Sequence, residues 1–155
     1  MEMKIPLIID KVNWINMENN NGRILLLNRW KTPDGTILIS RGRHDYVKHI
    51  DKTNGDTYFI DGGTDYIRMS VNTEPMEDMC VWSDADWQTI RRNVCRGTTD
   101  ESGMRIWIPI KDMSDDHLNN CIEYNRKQRI EGEDDDIHTQ LYIKELEYRK
   151  TIFRI

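Results

Sequence analysis

The sequence predicts an α+β fold: an N-terminal antiparallel β meander of hairpins, then helices, one further strand and a C-terminal antiparallel helical hairpin. Three observations carry this expectation. Short apolar runs in the first 72 residues are punctuated by turn residues, "TPDG" at Thr32 to Gly35 and "KTNG" at Lys52 to Gly55. Runs of that length between such turns are strands. After Ser83 the apolar spacing changes to threes and fours and capping residues appear, which is helix patterning.

Residues 4–16 read as the first strand, with Ile5, Leu7 and Ile9, and Val12 or Trp14, on buried positions. "MENNNG", from Met17 to Gly22, is a turn by composition. Arg23–Trp30 and Thr36–Ser40 pair as a hairpin, because Pro33, Asp34 and Gly35 stand in the order a tight turn favours. Asn54-Gly55 tolerates the positive φ angles of a two-residue turn. That turn sets Ile50 opposite Phe59, His49 opposite Ile60 and Lys48 opposite Asp61 in a second hairpin. Gly62-Gly63 ends this strand. Residues 64–72 read as a fifth strand, with a short helix capped by Thr64 as the alternative. "TEPMEDM", from Thr73 to Met79, separates a β-rich lobe, 1–72, from a mainly helical lobe, 73–155. The two are expected to form one compact unit.

In the second lobe, Ser83 is placed to cap a helix through "DADWQTIRRNVC", ended by Gly97, with Trp87, Ile90 and Val94 on one face. "GMRIWIPI" alternates Ile106, Ile108 and Ile110 as a strand. Ser114 caps the clearest helix. Its first turn is acidic, its last turn is basic, and Leu118, Cys121, Ile122 and Asn125 form a stripe with Met113 as hydrophobic staple. The last helix follows "EGEDDD", with Ile137, Leu141, Tyr148 and Ile152 on one face and Tyr142 and Leu146 widening it. The short connection implies an antiparallel pair. So wide a face suits contact with a second copy of the chain.

The chain has 155 residues, enough for one domain or two small lobes. Five Trp and six Tyr argue for a folded core despite 32% charged residues. The net charge of −5 is uneven: residues 1–70 carry ten Lys and Arg against nine Asp and Glu, residues 71–155 twelve against eighteen. The acidic half repels phosphates, which disfavours nucleic acid as a partner and suits a basic patch on a protein. Cys80, Cys95 and Cys121 are widely spaced and form no CxxC pair, which argues against a zinc site or disulfide framework. Cys95 and Cys121 fall in helical patterns. The opening residues lack a signal-peptide pattern, and no apolar run has membrane-spanning length. A cytoplasmic protein is expected.

No phosphate loop, GxGxxG, HExxH or GxSxG pattern occurs, and no motif requires a cofactor. The densest titratable cluster is His44, Asp45, His49, Asp51 and Asp61. His beside Asp suits acid–base or metal chemistry. However, His44 and His49 are five apart, so an ideal strand points them to opposite faces. Arg41, Arg43 and Lys48 form a small basic patch near Tyr46 and Tyr58, a combination that suits a phosphate with a base. The candidate ligand-binding set is therefore Arg41, Arg43, His44, Asp45, Tyr46 and Asp61. The plainer alternative is a solvated strand edge whose polar groups bond the backbone. No catalytic or metal-ligating residue is assigned.

Three phrases together resemble small uncharacterised accessory proteins of tailed bacteriophages. They are "RHDYVKHIDKTNGDTYFIDGGTDYIR", "VWSDADWQTIRRNVCRGT", and "WIPIKDMSDDHLNNCIEY" with "YIKELEYRK". They cover most of residues 40–150. The second phrase has Ala85-Asp86 where such segments commonly have Ala-Pro. The resemblance transfers no catalytic residue. It implies a non-enzymatic protein of the host cytoplasm that binds and modulates or inhibits a host factor, including a defence protein. The alternative is a small-ligand protein that binds, sequesters or hydrolyses a nucleotide through residues 41–66.

Overall fold

The computed structural model describes residues 12–15 and 22–152; expectations for residues 4–11 and most of the 17–22 turn lie outside them. The chain divides into two compact units, 1–90 and 91–155. The division falls past the 72–73 boundary read from composition. Residues 77–82 add two short strands to the first unit and so belong with it.

Among the described residues, the first unit forms two antiparallel sheets. One has the order β1 (Val12–Ile15), β6 (Ile67–Ser70), β5 (Thr57–Asp61), β4 (Val47–Ile50). The other is β3 (Ile37–Ser40), β2 (Leu25–Lys31) and β7 (Glu77–Asp78), with β8 (Val81–Trp82) also paired to β2. Leu25, Trp30 and Leu38 of the second sheet and Tyr58, Ile60, Ile67 and Met69 of the first form one buried cluster. Burying these side chains is the main force holding the sheets together. Asn28 also ties them polarly: its Nδ2 donates to the Asp61 carbonyl at 3.2 Å, and its Oδ1 accepts from Trp30 Nε1 at 3.0 Å. Both amide ends are thus used at a fully buried position.

The first hairpin forms as expected, with Trp30 opposite Leu38. In the second, the register is shifted by two: Lys48 faces Phe59, His49 faces Tyr58 and Ile50 faces Thr57. The cause is Asp51. Its Oδ1 accepts the N–H groups of Thr53 (2.8 Å) and Asn54 (3.1 Å) and the Thr53 hydroxyl. This winds residues 52–55 into a four-residue loop, closed when Gly55 N–H donates to the Asp51 carbonyl at 2.9 Å. An Asx turn therefore displaces the two-residue turn that Asn54-Gly55 alone suggests. Because the shift is even, every side chain keeps its face.

Helix α1 (Trp87–Asn93) is shorter than its pattern suggests. Its cap is Asp86, whose carboxylate accepts the Thr89 N–H at 2.9 Å and hydroxyl at 2.8 Å. Ser83 instead exchanges bonds with Ile24 beyond β8. Cys95 and Gly97 are not helical. They lie in β9 (Cys95–Thr99), paired with β10 (Arg105–Pro109). A Cβ on Gly97 would stand 2.8 Å from the Trp107 ring, so the missing side chain makes room for it.

A 3₁₀ turn, Ile110–Asp112, leads to α2 (Asp115–Gln128), which is capped by Ser114 through the His117 N–H at 3.1 Å. α3 (Ile137–Ile152) runs antiparallel to it: Asn125 bonds Thr139 near the connection, and Asp115 bonds Arg149 at the far end. Leu118, Cys121, Ile122, Leu141 and Tyr142 are buried. The face of α3 differs from the apolar stripe expected. Ile152 is exposed, whereas Thr139 and Glu145 are buried. No described helix is long and apolar enough to cross a membrane.

Candidate functional site

The 40–68 segment contains one device used twice. Gly42-Arg43-His44-Asp45-Tyr46 and Gly62-Gly63-Thr64-Asp65-Tyr66 each close a turn by an Asp N–H donating to the Gly carbonyl, both at 3.0 Å, before entering a strand. The turns lock together. Ser40 Oγ donates to the Asp45 carbonyl (2.7 Å) and accepts the Gly63 N–H (3.0 Å), and Tyr66 Oη donates to the Arg43 carbonyl (3.1 Å).

This arrangement disperses much of the candidate set. His44 is exposed at the turn. Asp45 Oδ2 accepts the Arg41 N–H at 2.9 Å, bracing the turn. Asp61 is buried and bidentate to Arg68, with Nε–Oδ1 at 3.0 Å and Nη2–Oδ2 at 2.6 Å. The carboxylate in turn raises the Arg68 pKa. No hydrogen bond or ion pair among the described residues joins Asp61 to His44 or Asp45. Arg43 stands exposed in the turn that precedes Tyr46.

Tyr46 belongs to a group that the sequence reading only half contained. It stacks on Phe59, ring centroids 5.2 Å apart at 29°, and the Arg68 guanidinium lies 5.3 Å from the same Phe59 ring. All three point away from the buried cluster. Phe59 and Arg68 were legible in principle. Strand alternation puts Tyr46, Lys48, Phe59, Asp61 and Arg68 on one face once the register is known.

The histidine–carboxylate contact that does form is His49 with Asp34, not His44 with Asp45. His49 Nε2 lies 2.7 Å from Asp34 Oδ2. Asp34 also accepts the Thr32 hydroxyl (2.6 Å) and the Thr36 and Lys52 N–H groups (3.0 and 2.9 Å). Its pKa falls below the usual aspartate range, chiefly through Thr32 and then His49. No group of three His, Cys, Asp or Glu among the described residues is arranged to hold a metal.

In the second unit, fully buried Glu145 receives Arg91 bidentately, Nε–Oε1 at 2.8 Å and Nη2–Oε2 at 2.7 Å, and Arg149 Nε at 2.8 Å. Burial alone would raise the carboxyl pKa, but the two guanidinium groups outweigh it and the pKa is lowered. Arg149 also bonds Asp115 and the Ile110 carbonyl. An open depression of about 580 Å³ lies beside them. Of its cations, Arg91 and Arg149 are held by carboxylates, so the cluster is a clasp between helices. Apolar surface is also exposed on the β9–β10 hairpin, at Met104, Ile106 and Trp107.

No family model matches this sequence, and no curated protein or solved structure matches it.

Proposed function

We propose that this is a non-enzymatic accessory protein of the tailed-bacteriophage kind, which acts in the host cytoplasm by binding and inhibiting or modulating a host protein, a defence component being the specific target class. The observation that carries this reading is the β9–β10 hairpin. Met104 is 65% exposed, Trp107 42% and Ile106 37%. Neighbouring strand positions point to opposite faces, so Ile106 and Trp107 present apolar surface on both sides of a two-stranded arm. Trp is prominent among interface hot spots, and Met104 at the hairpin loop adds to the apolar surface a partner would bury. The engagement of Asp34, Asp51, Asp61, Asp86 and Glu145 in caps and ion pairs adds support, since each already has a structural duty.

Affinity capture from bacterial host lysate at low salt tests the reading. The expected result is a stoichiometric host protein retained by the wild type. Trp107→Ser with Ile106→Ser should reduce its recovery about thirtyfold, as loss of a hot spot does. Failure of the wild type to retain any partner, or equal retention by the folded double variant, overturns it.

A further inference from the structure

We propose that the outward face of the β1–β6–β5–β4 sheet is a stacking platform for single-stranded nucleic acid, with Tyr46 receiving a base and Arg43 and Lys48 meeting the flanking phosphates. The sheet's alternation builds the platform. Lys48 and Ile50 share one face of β4 with Tyr46 just before it, and Phe59 lies across on β5. Phe59 is held by Arg68, and Tyr46 is stacked on Phe59, yet Tyr46 stays 48% exposed and Ile50 62%. A ring already held in place loses little freedom when a base stacks on it, and every base has a π face to offer.

The local charge suits phosphates. Asp61, the carboxylate on this face, is neutralised by bidentate Arg68. Arg43 and Lys48 are exposed. The acid excess that disfavours nucleic acid at the level of composition lies elsewhere. Residues 71–90 carry five Asp and Glu and no Lys or Arg. Of these, Glu77 and Asp78 form β7 in the other sheet. Asp45 and Asp65, at the two turns, keep the expected affinity modest.

The openness of the face decides between a strand and a free nucleotide. One base stack is worth roughly ten- to hundredfold in affinity. One stack and two cations on an open face hold a mononucleotide poorly. A strand adds bases beyond Tyr46 towards Ile50, about 13 Å along β4, and adds their phosphates.

Fluorescence anisotropy with a labelled oligothymidylate of about ten nucleotides, a length that spans one such face, tests the proposal. The expected result is saturable binding at low salt that weakens with a log–log slope of about −1.4, the value for two phosphates on a single strand. Tyr46→Ala should weaken binding about tenfold or more, and Tyr46→Phe, which keeps the ring, should bind as the wild type does. Lys48→Ala should reduce the slope by about 0.7. Thymidine monophosphate and a duplex of equal length should bind more weakly. Because removal of Tyr46 uncovers Phe59, Tyr46→Leu provides a second variant that covers it without a π system and should also lose binding. Any of four results overturns the proposal: no binding by the wild type, undiminished binding by Tyr46→Leu, duplex bound as tightly as single strand, or monophosphate bound as tightly as the oligonucleotide.

Discussion

Asp34 and Asp51 hold each other's loops: the Asp34 N–H donates to Asp51 Oδ2 at 2.8 Å, and the Lys52 N–H beside Asp51 donates back to Asp34 Oδ2 at 2.9 Å. The two hairpin turns of the first unit are thereby one polar structure, with His49 reaching the same Asp34 oxygen. Both carboxyls titrate below the usual aspartate value of 3.8. In Asp34 the Thr32 hydroxyl is the main cause. In Asp51 burial opposes the shift, but Thr53 and three backbone N–H groups outweigh it. A depressed folded-state pKa contributes stability that is whole above the unfolded value and is lost as pH falls below it. The thermal midpoint of the first unit should therefore be level above about pH 5 and fall steadily below pH 4. Asp34→Asn and Asp51→Asn should each lower the level part by several degrees and flatten the acid fall. Calorimetry across pH checks this; an acid fall unchanged in both variants would count against the latch.

Glu145→Ala should be among the most damaging single substitutions in the second unit. It strips Arg91 of its carboxylate where burial makes an unpaired charge costly, and a loss of about 3–5 kcal/mol is expected. Arg91→Met alone and Glu145→Leu alone should also destabilise, whereas the two together should regain much of the loss, since Arg149 keeps Asp115 and the Ile110 carbonyl. A denaturant-unfolding double-mutant cycle measures this. Strict additivity of the two single losses would sink the account.

Two glycines with positive φ should respond differently to alanine. Gly55 has φ +74° and open space around its missing Cβ, so Gly55→Ala costs only the backbone term, about 1 kcal/mol. Gly62 has φ +108°, and a Cβ there would stand 2.0 Å from the Tyr66 carbonyl oxygen, so the turn must open. Gly62→Ala should cost about 3 kcal/mol or more. Equal costs in chemical denaturation would show that the 62–66 turn is softer than drawn.

The Cys80 and Cys121 thiols should be unreactive in the folded state. Burial pushes Cys80 up to about 12 and also raises Cys121, and the thiolate is the nucleophile. Alkylation with iodoacetamide at mildly alkaline pH, mapped by mass, should label both only once the chain is unfolded. Rapid native labelling of Cys80 would contradict its placement.

The strand and helix plan was legible because alternation and capping are local. Thr36–Ser40, Ser114 with its acidic first turn, and the basic end of α2 all signal themselves within a few residues. What escaped depends on distant partners. The second hairpin's register turned on whether Asp51 would bond its own loop. The end of α1 turned on whether residues 95–99 would meet a strand, which requires Gly97 to lie under Trp107. Buried Glu145 broke the apolar reading of α3 because its partner Arg91 is 54 residues away. At the candidate site the residue types were legible, but their grouping was not. Tyr46 joined Phe59 and Arg68, His49 joined Asp34, and Asp61 was paired by Arg68.

The two Gly-x-x-Asp-Tyr turns look alike but do not have equal freedom to change. A side chain at Gly63 would run into the Gly42 backbone at 2.5 Å, whereas one at Gly42 would meet nothing within 4 Å. The contact between them constrains one partner and leaves the other free. Under random mutagenesis with selection for folding, variants should accumulate along 41–44 and be purged at 62–63. The tolerant turn is the one that leads into Tyr46, so the surface beside the stacked ring can diversify while its mirror image keeps the sheet in register.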